Sequence, residues 1–150
     1  MDITTIYDVA LITLRKIPNT TPTLRDIFQK IGDKGINVDM ISQTMPLENL
    51  INLSFTINNE DMGEVVPILA SFKEKIEGIR VDVHGDCAKL SIYNEKMIDM
   101  PGVAGKTFAA LADTDIKILA ITTSEVDISL LFEQKDVDQA EEILKNYFKA

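Results

Sequence analysis

The chain of 150 residues repeats itself once, and this duplication restricts its possible folds more than any other feature. Shifted by 80 positions, Phe28 falls on Phe108, Ile31 on Leu111, Ile36 on Ile116 and Ile41 on Ile121. Shifted by 75, Leu53 falls on Ile128, Ser54 on Ser129, Asp61 on Asp136, and the pair Ile68, Leu69 on Ile143, Leu144. The drop in offset places a shorter turn in the second copy. Two copies are too few for a solenoid, which needs about three stacked repeats. Duplication of one supersecondary unit therefore predicts two small lobes of about 75 residues each.

Both copies spell the same order of elements. Val9 to Leu14 is a β-branched run and Ala88 to Tyr93 alternates, so each copy opens on a strand. A helix follows: Thr21 as N-cap, Pro22 in the first turn, then Leu24, Ile27, Phe28 and Ile31 at helical spacing until Gly35. The second copy has Pro101 and Gly102 before Ala104, Thr107, Phe108 and Leu111. Strands are then expected at Ile36 to Met45 and Leu50 to Ile57, and at Ile116 to Ser124 and Val126 to Phe132. Asp61 with Glu64, and Asp136 with Gln139, have the spacing of capping boxes for the last helices. Pro67 would remove a hydrogen bond inside the first of these, which predicts a kink or a later start. Ile79 to Val83 completes βαββαβ in the first copy, whereas the second ends without a fourth strand. An open sheet edge must be paired or covered. The missing strand would come from the N-terminal segment, from the other lobe or from another chain.

Charge narrows the partners. With 15 Lys and Arg against 24 Asp and Glu, the net charge of -9 disfavours nucleic acid, which needs cations gathered on one face. The lone Cys87 excludes an intrachain disulfide, and no charged-then-apolar leader precedes Asp2; both fit the cytoplasm. The longest run without charge, Asn49 to Asn59, is too short for the roughly 20 residues of a membrane span.

The segment MIDMPGVAGKTFAALADTDIKILAITTSEVDISLLF, Met97 to Phe132, resembles the ACT domains of the C-terminal regulatory half of aspartate kinases. GINVDMISQT, Gly35 to Thr44, followed by NLSFTIN, Asn52 to Asn58, is similar to the preceding ACT domain of those enzymes. The resemblance runs from about Tyr7 to Phe148, with TTSE and the alternating stretch after it the most specific part. It implies an α+β fold of two ferredoxin-like βαββαβ lobes, antiparallel sheets with helices on one face, over residues 1–85 and 86–150 with strands shared between lobes. No kinase domain and no glycine-rich phosphate cradle are present. The expectation is a sensor without an enzyme: no catalytic residues, no cofactor and no metal, like the small regulatory subunit of two-subunit aspartate kinases or a free-standing ACT protein.

In that family an amino-acid effector, commonly lysine or threonine, sits where the loop before the first helix faces the second strand of a neighbouring lobe. An α-carboxylate suits a helix N-terminus, where backbone N–H groups are open, and an α-ammonium needs carboxylates or carbonyls. Carried over, these roles fall on Asn19, Thr21, Pro22 and Thr23 at the first helix and on Asn37, Asp39 and Gln43 along one strand face. A solvated edge strand is the competing account of that face. Two departures weaken the match, Asn19 where the family often has an acid and Thr21, Pro22 where it has Pro-Gly; a lost anionic contact is worth about 1.5 to 3 kcal/mol. The second lobe offers Pro101, Gly102 and Val103 at its helix, but Lys117 and Leu119 replace the polar pair. Thr122, Thr123, Ser124 and Glu125 suit turn chemistry, a lobe interface or contact with a ligand bound by the first copy, which makes Thr123, Ser124 and Glu125 second-lobe site candidates. The first lobe is thus the expected principal site. Implied partners are the effector, a second copy forming a homodimer through ACT lobes, and a separate aspartate kinase catalytic chain.

Other classes fare less well. A ligand-free ACT scaffold would only assemble. An acylphosphatase-like enzyme would need an arginine-bearing phosphate loop, yet Arg15, Arg25 and Arg80 are widely separated in sequence. An RNA-recognition domain would need aromatic residues where Leu11, Ile12, Leu53 and Ser54 stand. His84, with Asp82 and Asp86 near it in sequence, reads as a surface histidine, and the six methionines as core filling.

Overall fold

A computed structural model describes residues 1–149. The elements are β1 (Asp2–Pro18), α1 (Thr21–Asp33), β2 (Ile41–Gln43), β3 (Leu50–Asn58), α2 (Met62–Lys73), β4 (Arg80–Tyr93), α3 (Val103–Leu111), β5 (Ala120–Thr123), β6 (Asp127–Glu133) and α4 (Gln134–Lys149). By compactness the chain divides into Val9–Gly85, here the first lobe, and Met1–Asp8 with Asp86–Ala150, here the second. The first eight residues thus go with the second lobe, not with the 1–85 span read from the sequence.

In the first lobe the strand order is β2-β3-β1-β4. The β1–β3 and β2–β3 pairings are antiparallel. Ile51, Leu53, Phe55 and Ile57 alternate inward along β3 and meet Ile12 and Leu14 of β1, with Ile27 and Ile31 of α1 and Val65, Leu69 and Phe72 of α2 in the same buried cluster. Both helices therefore cover one sheet face. Each such side chain contributes about 1.5 to 3 kcal/mol by leaving water. Phe28 meets Phe55 edge-on, ring centroids 5.4 Å apart.

In the second lobe the order is β1-β4-β6-β5, using the N-terminal part of β1 and the C-terminal part of β4. Leu90 and Ile92 of β4, Ile128, Leu130 and Phe132 of β6, Leu111 of α3, and Val137, Ala140 and Leu144 of α4 form its core, with Met1 and Ile3 packed against it. The N-terminal segment thus supplies the strand that the second copy lacks. Counted from β4, the lobe has the same spatial order as the first. Its segment is tied to α4: Thr5 Oγ1 donates to Glu141 at 2.7 Å, the Tyr7 hydroxyl donates to Asp138, and the Asp8 N–H donates to Gln134 Oε1 at 2.8 Å.

The repeat reappears as matching hydroxyl rows. In the first lobe Ser42, Ser54 and Thr13 lie in register across three strands, with Thr13 and Ser54 hydrogen-bonded at 3.2 Å. In the second lobe Thr122, Ser129 and Ser91 do the same, with Ser91 and Ser129 at 3.1 Å. Thr13, Ser54, Ser91 and Ser129 alternate with core residues, and Ser42 and Thr122 follow them by register, so both rows occupy the sheet face away from the helices.

Several expected boundaries move. β1 is far longer than Val9 to Leu14, and the two runs Ile79 to Val83 and Ala88 to Tyr93 are one strand, β4. Conversely, Ile36 to Met45 shrinks to Ile41–Gln43 and Ile116 to Ser124 to Ala120–Thr123. Only part of each long run finds a partner strand. The cap of α1 is Thr20, not Thr21, because Thr20 has the extended backbone (φ -133°, ψ 140°) that lets its side chain accept from the Thr23 N–H. α1 ends at Asp33, before the positive φ of Gly35. Asp61 does not cap α2: it ends a 3-10 turn, Asn59–Asp61, with helical backbone and no side-chain cap bond. Asp136 lies inside the first turn of α4, which begins at Gln134. Pro67 is accommodated within α2, which starts ahead of it at Met62.

Candidate functional site

At α1 the backbone donors are largely committed. Pro22 has no N–H, the Thr23 N–H is taken by Thr20 Oγ1 at 3.3 Å, and the Leu24 N–H by the Thr20 carbonyl at 3.3 Å. The Thr20 and Thr23 hydroxyls also bond at 2.7 Å. The Thr21 N–H is left as the open donor at this helix start. Asn19 is held through its own N–H to the Asn49 carbonyl at 2.9 Å, leaving its side chain exposed.

The expected recognition strand divides. Ile41 and Gln43 stand opposite Phe55 and Leu53 and so share the helix-covered side of the sheet edge, both exposed. Asn37 and Asp39 precede the strand, exposed, while Ile36 and Val38 turn toward the core. The backbone of Asp39 already follows β3, its N–H donating to the Thr56 carbonyl at 3.1 Å.

At α3 the opposite holds. Gly102 stands in the N-cap position with φ +91° and no side-chain cap, a conformation only glycine adopts readily. The first intrahelical bond there runs from the Lys106 N–H to the Gly102 carbonyl at 3.0 Å, so Val103, Ala104 and Gly105 present unsatisfied N–H groups. Pro101 and Gly102 are exposed; Val103 is buried and anchors the helix. This is the better-formed anion cradle of the two. The turn residues are spent locally: the Ser124 N–H donates to the Asp127 carbonyl at 2.9 Å and Ser124 Oγ accepts from Val126 at 3.3 Å. Thr123 and Glu125 remain exposed beside it.

Other sequence candidates have structural places. His84 is exposed on β4, and Cys87 is buried and in no disulfide. Among the described residues no group of three or more His, Cys, Asp or Glu could hold a metal, and no helix is long and apolar enough to cross a membrane. Sequence reasoning missed that Arg15 and Arg80 line one cleft, since neighbouring strands β1 and β4 bring together residues far apart in the chain.

Comparison with known proteins is consistent with this architecture. The ACT-domain family model matches residues 90–148. The chain is 32% identical over 141 residues to aspartokinase 2 of Bacillus subtilis, covering 94% of this chain and 34% of that protein, so it spans about one third of that relative's length. Among solved structures it resembles the ligand-free regulatory subunit of aspartate kinase from Thermus thermophilus, with 30% identity, TM-score 0.87 and coverage of 97% of this chain and 96% of that one. It also resembles a chain in a structure of aspartokinase alpha and beta subunits, with 28% identity, TM-score 0.88 and coverage of 100% and 99%. With the two lobes and their matching topology, these likenesses show that the chain belongs to the ACT-domain family of aspartate kinase regulatory subunits and domains.

Proposed function

We propose that this chain is a non-catalytic amino-acid sensor of the cytoplasm that regulates an aspartate kinase catalytic chain and acts as a homodimer through its ACT lobes. The open N–H groups of Val103, Ala104 and Gly105 behind Gly102 carry the proposal, because three converging donors at a helix start suit an α-carboxylate. On this proposal Asn37, Asp39 and Gln43, presented by a lobe of a second copy, meet the ammonium and side chain of the effector. Asn19, Thr21 and Thr23 stand beside them, and Thr123, Ser124 and Glu125 face the bound molecule from the second lobe. Lysine and threonine are the first effectors to test. Binding would favour one arrangement of subunits, and the kinase chain would in turn change effector affinity by the same factor.

The start of α1, with only the Thr21 N–H open, favours a second reading for the first lobe alone, as an assembly surface without ligand. Calorimetry separates the two. Lysine or threonine is expected to bind with a dissociation constant of about 1 mM, or about 4 kcal/mol. Ala104→Pro, tolerated in a first helical turn but lacking the N–H, should weaken binding about tenfold or more. Absence of heat with every one of the common amino acids would reject the sensor and leave the scaffold.

A further inference from the structure

A cleft of about 490 Å³ in the first lobe gathers three cations of a net acidic chain. Arg15, Lys16 and Arg80 line it together with Met45, Leu47 and Leu50 of the β2–β3 hairpin. Its construction is specific. Leu14 pairs with Leu53 and Ile17 with Ile51, so β1 carries one extra residue between them. In a regular strand Arg15 and Ile17 would face one side and Lys16 the other. The bulge keeps both Leu14 and Ile17 fully buried and turns two consecutive cations outward, Lys16 taking φ +61° to do so. That backbone conformation disfavours a non-glycine residue, and such strain tends to collect at functional positions.

The hairpin opposite is tightly turned and carries an apolar ridge. Leu47 and Leu50 exchange backbone hydrogen bonds of 2.9 and 3.0 Å around a two-residue turn in which Glu48 and Asn49 both have positive φ. This tight turn holds out Met45, 89% exposed, and Leu47, 77% exposed. Large apolar side chains so exposed beside a polar rim mark protein contact surfaces. Arg15 is paired with Asp82 at 2.6 Å, and Glu48 also lines the cleft, but Lys16 and Arg80 form no ion pair among the described residues. A surplus of positive charge beside an apolar ridge selects one kind of occupant.

We propose that this cleft docks an acidic, partly apolar segment of a partner polypeptide, with carboxylates on Arg80, Lys16 and Arg15 and an apolar side chain against Leu47 and Met45. Docking in this cleft does not depend on effector binding at α3. A displayed random-peptide library panned on the full chain tests it. Peptides that place Asp or Glu within a few positions of Leu, Ile or Phe should be enriched, and a synthetic copy of the enriched peptide should lose affinity at least tenfold with Arg80→Glu and with Leu47→Ser. Amide shifts in the wild-type chain on adding that peptide should map to the bulge and hairpin, which keeps the test valid should a variant fold poorly. Three results would overturn the proposal: enrichment no greater than for basic peptides, binding indifferent to both substitutions, or shifts confined to another surface. Citrate or phosphate perturbing the cleft while no peptide is enriched would assign it to small anions instead, and concentration-dependent dimerisation abolished by Leu47→Ser would assign it to a second copy.

Discussion

Thr5, Tyr7 and Glu141 show how single side chains hold an unusually placed strand. Lys145 and Thr5 both donate to Glu141, and these bonds hold its carboxyl below the ordinary carboxylate range. Tyr7 donates to Asp138, and that bond, with the nearby carboxylates, raises the phenol above its usual value. The signs fix the pH window. A lowered carboxyl contributes stability that is complete above the usual carboxylate range and is lost as pH falls through the lowered value; a raised phenol contributes below about pH 10 and loses it in stronger alkali. Thr5→Val should therefore cost about 1 kcal/mol at neutral pH. In urea titrations the difference from wild type should shrink on the acid side of the lowered Glu141 value. A gap that stays constant into strong acid would mean that the threonine acts through packing, not through the carboxylate.

At the scale of elements, sequence was most informative where one physical rule decides alone. Leu24, Ile27, Phe28 and Ile31 announced α1 because their spacing needs only a helix and a core to face. Ser54 and Ser129, aligned by the repeat, occupy equivalent places in two hydroxyl rows. The strand ends were hidden because pairing partners, not β propensity, determine where β2 and β5 begin. The bulge in β1 was equally hidden: nothing local marks Lys16 for positive φ, and only burial of both Leu14 and Ile17 requires it. At the candidate site, the helix starts were placed nearly correctly, but which donors stay open turns on Thr20 against Thr21, a one-residue difference beyond the reach of pattern. Pro67 offers a test of local rule against context. It forfeits the bond an ordinary residue would give the Gly63 carbonyl, and its side chain is exposed. Pro67→Ala should stabilise the chain by about 1 to 2 kcal/mol, the gain in helix propensity less the entropy returned to the unfolded chain. The measurement is the shift in denaturant midpoint; no shift would mean that the helix relaxes around the ring without cost.

At the scale of the whole molecule, two lobes of one topology are closed in different ways. The first takes all four strands from the continuous stretch Val9–Gly85, whereas the second closes only when Met1–Asp8 lies beside Asp86–Tyr93. That closing segment contributes Met1 and Ile3 to the core and three hydrogen bonds to α4. Removing residues 1–8 should strip one side of β4 in the second lobe and expose part of its core. An unpaired strand edge over a partly open core recruits other chains. Amide exchange should then rise tenfold or more in α4 and β6 while Ile12, Phe55 and Leu69 stay protected, because local opening follows local contacts. Sedimentation should show association that grows with concentration. Protection lost equally in both lobes would mean that they unfold as one cooperative unit, and unchanged protection in both would mean that the second core holds without its borrowed strand.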